Sequence, residues 1–222
     1  MMLLIDTSAE QASLALANEG EILFTEENPL PKEHAAWLHP AIRRILESGR
    51  IKIEQLKAVA VSAGPGSYTG LRVGMAAAKG ICFALKIPLI TVNTLRLMGQ
   101  AMLPLAKENN ALICPLIDAR RQEVFTAIYS LEMQEILAPQ ALILDKTSFE
   151  EYLTRSRLIF SGSGSQKWEG LTHSPNALFS TQINVTEVFA RISHTYFMEK
   201  KWSDPIYSEP LYLKEFYTHA KI

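Results

Sequence analysis

The sequence predicts a layered α/β protein made of two copies of one unit, and three observations carry that expectation. Short apolar runs alternate with amphipathic stretches of helical period along the first 106 residues. A glycine-rich turn, Ser62-Ala63-Gly64-Pro65-Gly66-Ser67-Tyr68-Thr69-Gly70-Leu71-Arg72, joins a buried-strand pattern to a helical one. Ile5-Asp6-Thr7 ahead of an alternating strand is echoed by Ile117-Asp118-Ala119 ahead of residues 123–129, which marks a duplication.

Residues 2–5, 12–17 and 22–25 read as the strands of a meander, with Asn18-Glu19-Gly20 as the turn between the last two. Pro31-Lys32-Glu33 offers a helix start, and Trp37, Leu38, Ala41, Ile42, Ile45 and Leu46 recur about every 3.6 residues until Gly49. Pro40 falls inside that helix and removes the bond to the carbonyl of Ala36, which predicts a kink. A strand at 58–61 enters the glycine turn; a helix over 70–85, a strand over 89–92 and a helix from 94 to 106 complete the unit. Asn109-Asn110 opens the second one. It holds strands at 112–117 and 124–129, an apolar stretch at Ile136-Leu137, a helix near 149–155 and a strand at 158–160. A flexible Ser161-Gly162-Ser163-Gly164-Ser165 turn, a helix over 185–201 and an extended tail after Pro205 follow. The two lobes are therefore residues 1–106 and 107–222.

A chain of 222 residues, 48% hydrophobic, can bury one large core or two modest ones. Its net charge of -1 and isoelectric point near 6.5 argue against a self-sufficient nucleic-acid binder, which needs a basic face to neutralise phosphates. Any nucleic acid would reach it through a helper subunit. Cys82 and Cys114 have no second thiol at ligand or redox spacing and read as buried free thiols. The apolar N-terminus is interrupted at Asp6, too early for a signal-peptide core, and no run approaches the roughly 20 residues that span a bilayer. A reducing cytoplasm with no membrane partner is the expected setting.

Five of the 11 glycines lie between Gly64 and Gly80, so the backbone there approaches something closely, either an anion or a packed partner. Counting excludes two phosphate motifs. A Walker loop requires lysine after its last glycine, where Leu71 stands. A dinucleotide turn requires one residue fewer than separates Gly66 from Gly70. Ser67 is not the nucleophile of a Gly-x-Ser-x-Gly elbow, because Thr69 takes the second glycine's place; its hydroxyl suits a phosphate or the cap of the next helix. His34 and His39 are five apart, which puts them about 140° out of register on a helix and unsuits them to a shared metal. His173, His194 and His219 lack a carboxylate or thiol at ligand spacing, and no His-Glu-x-x-His occurs.

Asp6-Thr7-Ser8 is the kind of strand-end turn with which actin-like and hexokinase-like ATPases clasp phosphate between two lobes. Taken with residues 62–72, with Asp118-Ala119-Arg120 near Glu123-Val124-Phe125, with Gly162-Ser163-Gly164 and with Glu209-Pro210-Leu211-Tyr212-Leu213, it makes the whole chain closely resemble the TsaB (YeaZ) family of bacterial tRNA threonylcarbamoyladenosine synthesis. The resemblance implies a two-lobed actin-like/hexokinase-like α/β fold, a duplicated mixed sheet flanked by helices. It also implies a non-catalytic scaffold without cofactor or metal, a homodimer when alone. That scaffold works beside the catalytic paralogue TsaD and the ATPase TsaE, and it meets tRNA only through that complex. The complex modifies the adenosine 3′ of the anticodon in tRNAs reading ANN codons. The resemblance implies that Asp6, Thr7, Asp118 and the Gly162 turn occupy places where relatives hold phosphate, metal and adenosine, and Asp6, Thr7, Ser8, Gly64, Gly66, Ser67 and Asp118 are the candidate nucleotide- or phosphate-binding residues. Only Arg72, Arg120 and Arg121 accompany them to offset polyphosphate charge. A stand-alone ATPase or small-molecule kinase is the rival reading, and a glycoprotease-like peptidase a weaker one.

The helix after the glycine turn is apolar nearly all round: Leu71, Val73, Met75, Ile81, Phe83 and Leu85 are interspersed with Gly74, Ala76, Ala77, Ala78 and Gly80. Its spare face needs a cover, either the chain's own second lobe or another protein. The resemblance points to another protein, docked on Leu71, Gly74, Met75 and Ala78 with His34 and Leu38 of the preceding helix. A carboxylate at Gly74 or Ala78 is then expected to prevent pairing and spare the fold.

Overall fold

A computed structural model describes residues 1–30, 33–181 and 183–214; Pro31 and Lys32 of the expected helix start, and His219, lie outside the described residues. Strands β1 (Met2–Asp6), β2 (Ser13–Asn18) and β3 (Glu21–Glu27) form the antiparallel meander. On its other edge β1 runs parallel to β4 (Ala58–Gly64), and β4 parallel to β5 (Leu89–Asn93), giving the order β3-β2-β1-β4-β5. The second sheet holds β6 (Ala111–Asp118), β7 (Glu123–Tyr129), β8 (Glu135–Ile143), β9 (Arg157–Ser161) and β10 (Ala177–Ser180) in the order β10-β9-β6-β7-β8. In each sheet the first strand is central, antiparallel to the second and parallel to the fourth. The duplication suggested by two aspartate turns is thus a duplication of topology.

Among the described residues six α-helices cover the sheets: α1 (His34–Ser48), α2 (Tyr68–Leu85), α3 (Thr94–Asn109), α4 (Glu150–Leu153), α5 (Ser165–Glu169) and α6 (Val185–Met198). Because side chains alternate along a strand, Leu3 and Ile5 of β1 face α1 and α2 while Met2 and Leu4 face α3 and α6. That double coverage is why β1 and β4 are apolar at almost every position. Helix α1 continues through Pro40. Both thiols are buried, and desolvation pushes Cys82 up to about 11 and Cys114 up to about 12.

Helix α3 is the shared wall. Asn93 caps its start, accepting the Arg96 N–H at 3.0 Å, and Asn110 ends it in the left-handed region at φ 48°. Leu97 packs with Met2, Leu4, Ile90 and Val92 of the first sheet, whereas Leu95, Met102 and Ala106 pack with Ile113, Tyr129 and Ile159 of the second. Helix α3 runs on past residue 106 to Asn109 and joins the last strand of the first sheet to the first strand of the second. Helix α6 then returns to the first sheet through Val188 and Phe189.

The structure departs from the sequence expectation at its sheet edges, in the unexpected short helix α5 and in the turn before it. Strand β8 has nine residues where the sequence showed only the apolar stretch Ile136-Leu137; it is an edge strand carrying Pro139 and two register shifts, which erase the alternating pattern. Strand β10, also at an edge, has only four residues and gave no signal. The turn at 161–165 is fixed, because Gly162 (φ 109°) lies against Leu116 O, where a Cβ would come within 3.0 Å. In the same turn the Gly164 N–H donates to Leu116 O at 2.9 Å, and the Ser165 hydroxyl donates to Gly162 O at 2.7 Å as α5 begins.

Truncating α3 on either face should be felt by the whole chain. Leu97→Ala and Leu95→Ala are each expected to cost about 2–5 kcal/mol in urea unfolding, shifting one common transition. Two resolved transitions, with only one displaced in each variant, would show that the lobes unfold separately.

Candidate functional site

The glycines of the β4–α2 turn approach the backbone of the β1–β2 turn. A Cβ on Gly66 would overlap Ser8 O, one on Gly70 would overlap Thr7 O, and one on Gly74 would overlap Thr7 Oγ1, each under 3.0 Å. These three glycines are spaced by four, so they line one edge of α2 and its approach, and the turn lies along that edge. The Ser67 N–H donates to Ser8 O at 2.7 Å. The Ser67 hydroxyl caps α2, accepting the Gly70 N–H at 3.3 Å. Asp6 Oδ1 accepts three hydrogen bonds, from the Ser8 N–H at 3.0 Å, the Ser8 hydroxyl at 2.6 Å and the Ser62 hydroxyl at 2.7 Å. Of the two partners the sequence left open for the glycines, the structure supplies the packed one. Asp6, Thr7, Ser8, Gly64, Gly66 and Ser67 are brought together, with Thr7 and Ser8 buried inside the knot.

Asp118 sits apart, at the equivalent strand end of the second sheet. Its Oδ1 accepts the Arg120 N–H at 2.6 Å and Lys167 Nζ at 2.6 Å, and its own N–H donates to Ser163 Oγ at 3.0 Å. Partial burial pulls this carboxyl up, but the bonds from Lys167 and the Arg120 N–H outweigh it and hold the group below the ordinary 3.8.

The six docking residues expected from the sequence are all buried in the chain's own core: His34, Leu38, Leu71, Gly74, Met75 and Ala78. The glycine edge fixes the rotation of α2, and that rotation turns Leu71, Met75 and Ala78 onto the sheet. His34 is held by its Nε2 contact with Ala9 O at 3.0 Å. The outward face is one step round the helix. Val73, Ala76, Gly80, Ile81 and Ala84 of α2, with Ala35 and His39 of α1, line an apolar groove of about 590 Å³. Phe83, 74% exposed, stands on the same helix.

The end of the chain borders this helix and closes over the glycine turn. Lys79 Nζ donates to Ile206 O and Ser208 O at 3.0 and 2.9 Å, and the Leu211 N–H donates to Ala63 O at 2.7 Å. Gly64 (φ 101°) has no room for a Cβ beside Leu211 O. Arg72 lies 4.0 Å over the Tyr68 ring and donates to Tyr212 Oη at 3.0 Å. Sequence reasoning missed this strap, whose partners lie more than a hundred residues away.

Two sheets of this repeated topology, with the β1–β2 turn packed on the glycine segment, define an actin-like and hexokinase-like fold. The inorganic polyphosphate/ATP-glucomannokinase of Arthrobacter sp. strain KM shares the fold, at TM-score 0.51 and 12% identity over 88% of this chain and 98% of that one. The family model for TsaD: tRNA N6-adenosine threonylcarbamoyltransferase matches residues 29–196. The tRNA threonylcarbamoyladenosine biosynthesis protein TsaB of Escherichia coli (strain K12) is 29% identical over 220 residues, 96% of this chain and 94% of that one. A solved Pseudomonas aeruginosa protein, described as uncharacterized with similarity to peptidase YEAZ, superposes with TM-score 0.79 at 26% identity, over 96% of this chain and 99% of that one. The chain belongs to the TsaD-type threonylcarbamoyltransferase family, on its TsaB (YeaZ) branch.

Two glycines of one helix should respond oppositely to the same change. Gly74→Ala is expected to destabilise by about 1–3 kcal/mol through overpacking on Thr7. Gly80, with nothing within 4 Å of its missing Cβ, is expected to gain about 0.5–1 kcal/mol on becoming alanine; calorimetry reads both signs. For Asp118, a carboxyl held low in the folded state stabilises above 3.8 and loses that contribution as pH falls through its folded value. Asp118→Asn should therefore flatten the loss of stability between about pH 4 and pH 2, measured by denaturant titration at each pH.

Proposed function

We propose that this chain is the non-catalytic docking subunit of a tRNA threonylcarbamoyladenosine synthase. It pairs with a TsaD-like catalytic paralogue and works with a TsaE-like ATPase on the adenosine 3′ of the anticodon in tRNAs reading ANN codons. The observation that carries this reading is the groove across α1 and α2, an outward apolar stripe of small side chains that lets a partner helix lie close. The Escherichia coli relative, a tRNA threonylcarbamoyladenosine biosynthesis protein, supplies the pathway. The same stripe serves a second copy of the chain when the paralogue is missing, so the two assemblies compete.

The Gly66, Gly70 and Gly74 edge supports a structural use for the glycine turn, since the β1–β2 turn fills the space beside it. His34 and His39 face different surroundings, one in the core and one in the groove. Neither arrangement asks this chain for the transfer chemistry, which belongs to the paralogue.

Mixing the chain with its paralogue, the ATPase, tRNA, threonylcarbamoyl donor and ATP should raise modified tRNA well above the level reached without it. Equal product on omission, or steady ATP turnover by the chain alone, would remove the proposal. Gly74→Glu and Ala78→Glu test folding rather than pairing, because both positions are buried. The pairing variants are Ala76→Glu and Gly80→Glu, which place an unpaired carboxylate in the groove. Each should leave the melting temperature near that of the parent and abolish paralogue binding and self-association in sedimentation.

A further inference from the structure

A second concave site lies at the ends of the second-sheet strands opposite Asp118. Strands β6, β9 and β10 run parallel and start side by side. Asn110, Ser156 and Asn176 stand immediately before them, and together with Asn109, Arg155 and Arg157 they line an open pocket of about 340 Å³. Its rim is braced: the Asn109 amide donates to Leu105 O at 2.8 Å, and the Asn176 amide to Leu153 O at 2.8 Å.

The lining residues are all polar and include two arginines with no carboxylate among them. Arg155 touches Glu151 at only 3.9 Å, with side chains 77% and 71% exposed, a contact worth little in water. Arg157 has no carboxylate partner among the described residues. Two arginines bordering one depression can offer paired N–H donors to the oxygens of a phosphate. No aliphatic or aromatic side chain lines the pocket to hold a base or a sugar, so it suits the phosphate alone.

We infer that this pocket holds a backbone phosphate of the RNA on which the assembly acts. The assignment rests on the subunit reading above, in which the substrate is tRNA. A chain of net charge -1 gains little general attraction for RNA. One local phosphate contact instead fixes how the RNA is oriented on the complex, without reading its sequence.

The test uses the complete assembly of chain, paralogue and ATPase, with tRNA affinity measured by filter binding over a range of salt. Arg155→Ala/Arg157→Ala should weaken tRNA binding several-fold and reduce the slope of log affinity against log salt by about 1. Glu151→Gln, which removes a carboxylate that repels phosphate beside Arg155, should tighten binding. Both variants alter exposed side chains, and unchanged pairing with the paralogue in sedimentation confirms an intact fold. Parental affinity and slope in the double variant overturn the inference. So does inorganic phosphate bound at these arginines in the isolated chain while tRNA affinity stays parental. If omission of the chain leaves modification unaffected, the subunit reading fails; if omission matters and the arginine variants behave as the parent, only the phosphate site fails.

Discussion

Contact between the β1–β2 turn and the side-chain-free edge of α2 is the constraint from which the rest of the first lobe follows. Thr7 and Ser8 lie where Cβ atoms of Gly66, Gly70 and Gly74 would stand. The helix therefore approaches backbone to backbone and can take only one rotation about its axis. That rotation sends Leu71, Met75, Ala78 and Cys82 into the core and leaves Ala76, Gly80 and Ala84 outside. His34 enters the same knot, with Gly70 against its ring and Ala9 O on its Nε2. The groove is thus a by-product of how tightly the opposite edge of the helix is seated.

The lobes depend on each other through elements that serve both. Helix α3 presents one apolar face to each sheet. Helix α6 belongs to the second half of the chain and covers the first sheet. The strap that follows repeats the crossing: Ser203 pairs with Leu89 of β5, Leu211 with Ala63, and Lys214 forms an ion pair with Glu123 of β7. A chain this size could have formed two separate cores. Sharing helices between sheets buries more apolar surface per residue than two isolated small lobes would.

Much of this was legible from local pattern. The Met2–Asp6 and Ala58–Gly64 strands are continuous apolar runs, the period of α1 is plain through Trp37, Leu38, Ala41, Ile42 and Ile45, and the paired Asp6 and Asp118 turns announced the duplication. What escaped was at the edges or at long range. Strand β8 loses its alternation to Pro139 and to register shifts, and β10 is too short to show one. Gly162 looked like part of a flexible linker because its reason for being glycine, Leu116 O, lies on a neighbouring strand. One signal was available and unread: the spacing of four between Gly66, Gly70 and Gly74 marks a close-packed helix edge and so names the buried side of α2.

The sequence by itself determined the elements, their order and the repetition of a unit, because periodicity and turn chemistry act between near neighbours in the chain. Only the tertiary structure decided which side of α2 faces outward, what fills the space beside the glycines and where the last residues attach. Those outcomes are set by contacts between segments tens to hundreds of residues apart, and a helix that is apolar nearly all round carries no local mark of the face its neighbours leave uncovered.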